Sequence, residues 1–252
     1  MLITKWGKAL DKNHPLCEYP RPQFVRDSYI SLNGMWKCAF YNKPDCEDEK
    51  FRYDICVPFS PEAYLSGVHR TLEPGEYLIY KRNFVIPKGF NKGRVFINFG
   101  AVDQIATVFI NGNNVATHKG GYTSFKFEIT DYVTDGENEI KVSCLDFSDD
   151  NAFSRGKQKT KRGGIWYTCQ SGIWQSVWLE STPKKYLEKV KITQQACKQN
   201  QLLLTRSFHF ISCSVSSNSG LSKNCRTVIS KPSQSFLIDT TPGFWLFWLS
   251  IL

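Results

Sequence analysis

The stretch Leu145-Asp146-Phe147-Ser148-Asp149-Asp150-Asn151 sets three carboxylates within five positions behind a run of β-forming residues, a spacing that suits the receipt of sugar hydroxyls or of a cation. The same residues also make a solvated turn in which Asp and Ser bond nearby backbone, and residue types alone favour that turn. Arg155-Gly156-Lys157-Gln158 follows, with charged and amide donors on a polar loop, where a solvated loop is again the simpler reading. Trp166, Trp174 and Trp178 lie in the segment from Ile165 to Glu180. Exposed indole rings stack on the apolar faces of sugars, but period-two spacing puts Trp174 and Trp178 on one side of a strand, where core packing accounts for them.

Other chemistries find no support in the residue pattern. No G-x-S-x-G elbow, H-E-x-x-H helix or G-x-x-x-x-G-K-[ST] phosphate loop occurs. His14, His69, His118 and His209 are scattered, and the nine cysteines form no C-x-x-C pair, so no metal, redox centre or cofactor is expected. Met1-Leu2-Ile3-Thr4-Lys5-Trp6 starts no apolar run of signal-peptide length, so the expected location is the reducing cytoplasm, with free thiols. The apolar run Gly243–Leu252 is about half of what spans a bilayer, and no membrane association is expected. With 41% hydrophobic and 22% charged residues the chain is globular and not disordered. Its net charge of +9 draws heavily on residues 195–252, which hold five basic residues and one acid. No basic stripe with a recognisable module appears, so no nucleic-acid partner is expected.

The elements that must position these loops read as strands. In Ser124–Ile129 the apolar Phe125, Phe127 and Ile129 alternate with Ser124, Lys126 and Glu128, and Ile140, Val142 and Cys144 alternate in the same way, as do Val95, Ile97 and Phe99. Asn111-Gly112 follows Thr107-Val108-Phe109-Ile110, and that pair adopts the positive φ values of a tight hairpin. Further strands are predicted at Tyr77–Val85, Ile165–Tyr167 and Ile173–Leu179. Short strands at close spacing, with Gly, Asn and Pro turns and no sustained helical period between Pro58 and Glu180, predict an all-β, two-sheet antiparallel sandwich of jelly-roll type. After about Gln194 the character changes: 11 serines, one acid and apolar clusters without alternation predict an irregular, disordered C-terminal tail over 195–252.

Several short segments occur in order: Tyr19-Pro20-Arg21-Pro22-Gln23, Ser31-Leu32-Asn33-Gly34-Met35-Trp36, Val57-Pro58-Phe59-Ser60-Pro61-Glu62, Phe99-Gly100-Ala101-Val102-Asp103, Phe109-Ile110-Asn111-Gly112, His118-Lys119-Gly120-Gly121-Tyr122, Gly156-Lys157-Gln158 and Ser171-Gly172-Ile173-Trp174-Gln175. Together they resemble the N-terminal sugar-binding domain of glycoside hydrolase family 2, the β-galactosidases, β-glucuronidases and β-mannosidases. Most of these segments are turn- and fold-forming. The resemblance implies a galactose-binding-domain-like jelly roll over 20–184 behind a lead-in of 1–19, then the first strand of an immunoglobulin-like sandwich over 185–194. A non-family tail follows over 195–252, consistent with truncation or a reading-frame error.

It further implies a hydrolase family acting on O-glycosyl bonds in carbohydrate metabolism. Retaining members need two carboxylates about 5 Å apart, which the family places in a later barrel, so no residue here takes a catalytic role and the chain is expected to be inactive alone. In some members an aspartate on a loop of this domain binds sugar hydroxyls. Ser148-Asp149 matches that position, which makes Asp149 the leading substrate-binding candidate, with Lys157 and Gln158 on the same stretch. The expected partner is a β-glycoside in the context of a full enzyme, of unassigned identity, and self-association stays open. Two other readings are a stand-alone lectin-like protein and a partial subunit that assembles with a separate barrel.

Overall fold

The structure is a computed structural model, which describes residues 3–21, 25–44, 50–150, 153–198, 201–212 and 227–239. The chain divides into two units, Met1–Thr182 and Pro183–Leu252.

In the first unit a four-residue helix, Lys5–Lys8, precedes twelve strands. These are β1 (Tyr29–Ser31), β2 (Gly34–Tyr41), β3 (Tyr53–Val57), β4 (Tyr77–Ile86), β5 (Arg94–Phe99), β6 (Val102–Asp103), β7 (Ile105–Ile110), β8 (Asn113–Lys119), β9 (Phe125–Glu128), β10 (Gly136–Leu145), β11 (Gly172–Ile173) and β12 (Val177–Thr182). A four-stranded sheet in the order β1-β12-β5-β9 and a six-stranded sheet in the order β3-β2-β4-β10-β7-β8 form the sandwich, with β11 and β6 paired beside them. All neighbours are antiparallel.

Alternation in sequence becomes alternation in burial. Ile140, Val142 and Cys144 of β10 and Val95, Ile97 and Phe99 of β5 are fully buried in one apolar cluster that also takes Leu179 from β12 and Trp36 and Tyr80 from β2 and β4. Burying such side chains stabilises the sandwich by roughly 1.5–3 kcal/mol each. The polar ends of the buried aromatics find partners, as they must in a dry core: Trp36 donates its indole N–H to Leu32 O at 2.8 Å, and the Tyr80 hydroxyl accepts from Ile173 N at 3.2 Å. The predicted hairpin joins β7 to β8, with Asn111 at φ 50 and Gly112 at φ 79. Buried Glu180 on β12 is compensated by charge and hydrogen bonds. It accepts from Arg26 Nε at 2.7 Å, Trp178 Nε1 at 2.7 Å and Tyr19 Oη at 2.9 Å, which ties the N-terminal segment to the sheet.

Three expectations are corrected. Ile165–Tyr167 is no strand but part of a loop with isolated bridges, Gly163 to Trp166 and Gln158 to Tyr167, because the turn at Gly163 (φ 159) and Gly164 (φ 58) leaves Ile165 and Tyr167 exposed. Ile173–Leu179 is not one strand but two, broken at Trp174–Ser176, so Trp178 joins the buried set while Trp174 stays half-exposed and donates to Gly121 O at 2.8 Å. The third concerns the tail, and only its described residues 195–198, 201–212 and 227–239, the rest of 195–252 lying outside the described residues. β13 (Tyr186–Lys198), β14 (Gln201–Ser212) and β15 (Thr227–Asp239) form a three-stranded antiparallel sheet in that order, and the latter two run through the segment where composition predicts irregular chain. Register shifts between Gln194 and Ala196 and between Arg206 and Phe208 break the simple alternation that reveals a strand in sequence, while the β-branched and aromatic residues still favour extended backbone.

Candidate functional site

Four connections converge: residues 58–72 after β3, 100–104 around β6, 120–124 between β8 and β9, and 146–171 between β10 and β11. Side-chain hydrogen bonds stitch them together. Gln158, one of the three candidates, donates its amide to Tyr122 Oη at 2.9 Å and accepts from Gln170 N. Gln170 in turn accepts from the Ser60 hydroxyl, while Glu62 accepts from Leu72 N at 3.3 Å and Ser171 N at 3.2 Å. Asp149, the leading candidate, accepts through Oδ1 from Thr160 N at 3.0 Å and from Thr160 Oγ1 at 2.7 Å. These bonds from Thr160 hold the Asp149 carboxyl below the usual range. Lys157 is exposed, and its backbone oxygen accepts from Tyr167 N at 2.8 Å. Asp149, Lys157 and Gln158 thus share one pinned loop, Asp149 with one oxygen committed to the loop itself.

Beneath that loop lies a group of which the sequence reading singled out only Asp146, as one of the three carboxylates of the 145–151 stretch. Asp103 and Asp146 are buried and Glu62 is half-buried. Burial, then the charges of Asp146 and Glu62, push the Asp103 carboxyl up to about 7. Burial likewise raises Asp146 and Glu62. Asp103 Oδ1 and the hydroxyls of Ser148 and Ser171 have no hydrogen-bond partner among the described residues. Gly121 fits directly against the Asp103 carboxyl, where any Cβ would collide with it. Glu62, Asp103 and Ser171 all fall inside segments quoted above as fold-forming. A charged residue closing an otherwise apolar or turn-forming segment was the available signal. Among the described residues no group of three or more His, Cys, Asp or Glu is arranged to hold a metal ion.

Two open clefts flank the network. One of about 370 Å³ is lined by Phe59, Ser60, Gln170, Trp174 and Gln175, and one of about 310 Å³ by Glu62, Tyr64, His69 and Thr168. Tyr64 stacks on His69 with ring centres 5.0 Å apart. Aromatic faces beside amides and hydroxyls are suited to sugar rings, whose apolar faces stack and whose hydroxyls hydrogen-bond.

A jelly-roll sandwich with a polar, loop-built end is the class of protein these features define. Residues 64–183 match glycosyl hydrolases family 2, sugar binding domain, which is the domain this sandwich resembles. The chain is 30% identical over 170 residues to a β-galactosidase of Thermoanaerobacter pseudethanolicus, covering 64% of this chain and 22% of that one. It is 43% identical over 115 residues to a β-glucuronidase of Bacteroides fragilis, covering 45% of this chain and 16% of that one. The β-glucuronidase structure from Bifidobacterium dentium superposes with a TM-score of 0.61 at 18% identity over 88% of this chain and 44% of that chain, a likeness of fold. The chain therefore spans about a fifth or less of the curated relatives named here. Among the described residues no helix is long and apolar enough to cross a membrane.

Proposed function

We propose that this chain supplies carbohydrate contacts to a family 2 β-glycosidase and takes no part in bond cleavage itself. The observation that carries the reading is the pinned loop bearing Asp149, Lys157 and Gln158 at the loop-rich end of a family 2 sugar-binding domain. Asp149 is assigned to accept from sugar hydroxyls through the oxygen that Thr160 does not use, with Lys157 and Gln158 beside it. Nearby Asp103, Asp146 and Glu62 are turned to internal work. They are desolvated, shifted toward their neutral forms and, for Glu62, bonded to backbone N–H groups, which suits a structural role better than a nucleophile open to substrate. The strand β13 is assigned to the opening of the immunoglobulin-like sandwich.

Amide chemical shifts of the chain, titrated with β-galactoside, β-glucuronide and β-mannoside oligosaccharides, test this. Perturbations centred on residues 146–160 and reduced by Asp149→Ala support the assignment; shifts confined elsewhere in the sandwich contradict it. Because one loop encloses only part of a sugar, dissociation constants weaker than about 1 mM are expected for monosaccharides, less than about 4 kcal/mol of binding.

A further inference from the structure

Between Asp150 and Glu180 the chain has no acid, while residues 155–162 hold five cations: Arg155, Lys157, Lys159, Lys161 and Arg162. The backbone that carries them is held in place. Tyr167 N donates to Lys157 O at 2.8 Å, Lys159 N to Tyr167 O at 3.1 Å, Trp166 N to Gly163 O at 3.1 Å, and Thr160 is bonded to Asp149. Lys159 lies over the Trp166 ring at 4.6 Å, and Arg162 donates to Thr168 Oγ1 at 3.2 Å. Lys157, Lys161 and Arg162 are exposed and make no ion pair among the described residues. Beside them Ile165 and Tyr167 are 67% and 70% exposed. Like charges gathered on a fixed loop repel one another, and a polyanion relieves that repulsion while an adjacent ring takes the apolar face of a sugar.

We propose that the 155–167 loop docks an anionic polysaccharide, its repeated carboxylates or sulfates set against Lys157, Lys161 and Arg162 and a sugar ring against Tyr167. The inference deepens the carbohydrate reading above and rests on it. A single strand of nucleic acid also likes cations and aromatics, but such proteins run a basic groove along several nucleotides, whereas here the charges sit on one short turn of a sugar-binding domain. Of the carboxylates near the loop, Asp103 and Asp146 are buried, and Asp149 has one oxygen committed to Thr160, so the anion is set against the exposed Lys157, Lys161 and Arg162.

Affinity electrophoresis of the full chain through gels containing polygalacturonate, chondroitin sulfate or neutral galactan tests the proposal. Retardation by the carboxylated or the sulfated polymer, and which of them acts, identifies the anion. That retardation is expected to fade by about 0.5 M salt, where exposed charges are screened. The triple change Lys157→Gln, Lys161→Gln, Arg162→Gln is expected to weaken it by roughly tenfold, a few-fold for each exposed ion pair, with an unchanged far-ultraviolet circular dichroism spectrum. Equal retardation by neutral and acidic polymers overturns the proposal and leaves the carbohydrate reading standing. No retardation by any glycan overturns both. Tighter binding to oligodeoxythymidine than to either acidic polymer, or an unaffected triple variant, also overturns it.

Discussion

Asp103 shows most directly how single residues shape this end of the molecule. Its carboxyl is buried against Gly121 and beside Asp146 and Glu62, and it is pushed up to about 7, against an ordinary value near 4. A folded state that holds a proton more tightly than the unfolded chain is stabilised by acid. This contribution is complete below about pH 4 and is lost as pH rises through about 7. Asp146 and Glu62, raised as well, push in the same direction. Asp103→Asn, which keeps the shape without the charge, is expected to flatten the pH dependence of urea unfolding between about pH 4 and 8. At pH 8 it should stabilise the sandwich on the order of 2–4 kcal/mol. Unchanged or lower stability at pH 8 would show that the charge is compensated in solution. Gly121→Ala is expected to destabilise by about 1–3 kcal/mol because the added methyl meets the Asp103 carboxyl, and thermal unfolding measures it.

At the scale of elements, the β7–β8 hairpin combines backbone and side-chain demands in two residues. Gly112→Ala places a Cβ at φ 79 and is expected to cost about 1 kcal/mol. Asn111→Gly keeps the turn geometry but removes bonds to Tyr132 O, Asn138 Oδ1 and Glu139 N, and is expected to cost more, about 2 kcal/mol. Equal costs in denaturant unfolding would mean that the side-chain bonds contribute nothing. This hairpin was legible in the sequence because its signal is local: two turn residues after a β-forming run. So were β5 and β10, whose apolar residues keep strict period two. The segment 165–179 was not. Its tryptophans have strand-like spacing, yet Gly163 and Gly164 turn the chain away before Ile165, and a second break at Trp174–Ser176 separates Trp174 from Trp178. Nor was the juxtaposition of Glu62, Asp103 and Asp146 legible, since sandwich topology brings together residues some forty positions apart and no local spacing encodes it.

At the scale of the whole molecule, the apolar cluster found among the residues of described burial lies within Met1–Thr182 and draws on both sheets of the sandwich. A chain ending at Lys184 is therefore expected to retain a cooperative thermal transition. Loss of cooperativity in calorimetry would show that residues after Thr182 complete the core. The family resemblance was legible because its ordered turn segments serve the fold, and this 252-residue chain covers a small part of its relatives. The proposed sugar contacts were legible only as candidates. A loop acceptor looks the same in sequence whether it meets solvent, as one Asp149 oxygen is proposed to do before sugar arrives, or its own loop, as the other does at Thr160.

The central claim, recognition without hydrolysis, is tested most directly by release of nitrophenol from nitrophenyl β-galactoside, β-glucuronide and β-mannoside by the purified chain. A retaining mechanism needs a nucleophile and an acid/base carboxylate about 5 Å apart and open to the sugar. At the loop end of this sandwich Asp103 and Asp146 are instead buried, and Asp149 has one oxygen committed to Thr160. Release at the buffer rate is expected for all three substrates. Turnover above that rate which disappears in Asp149→Ala would contradict it and make Asp149 part of a hydrolytic site.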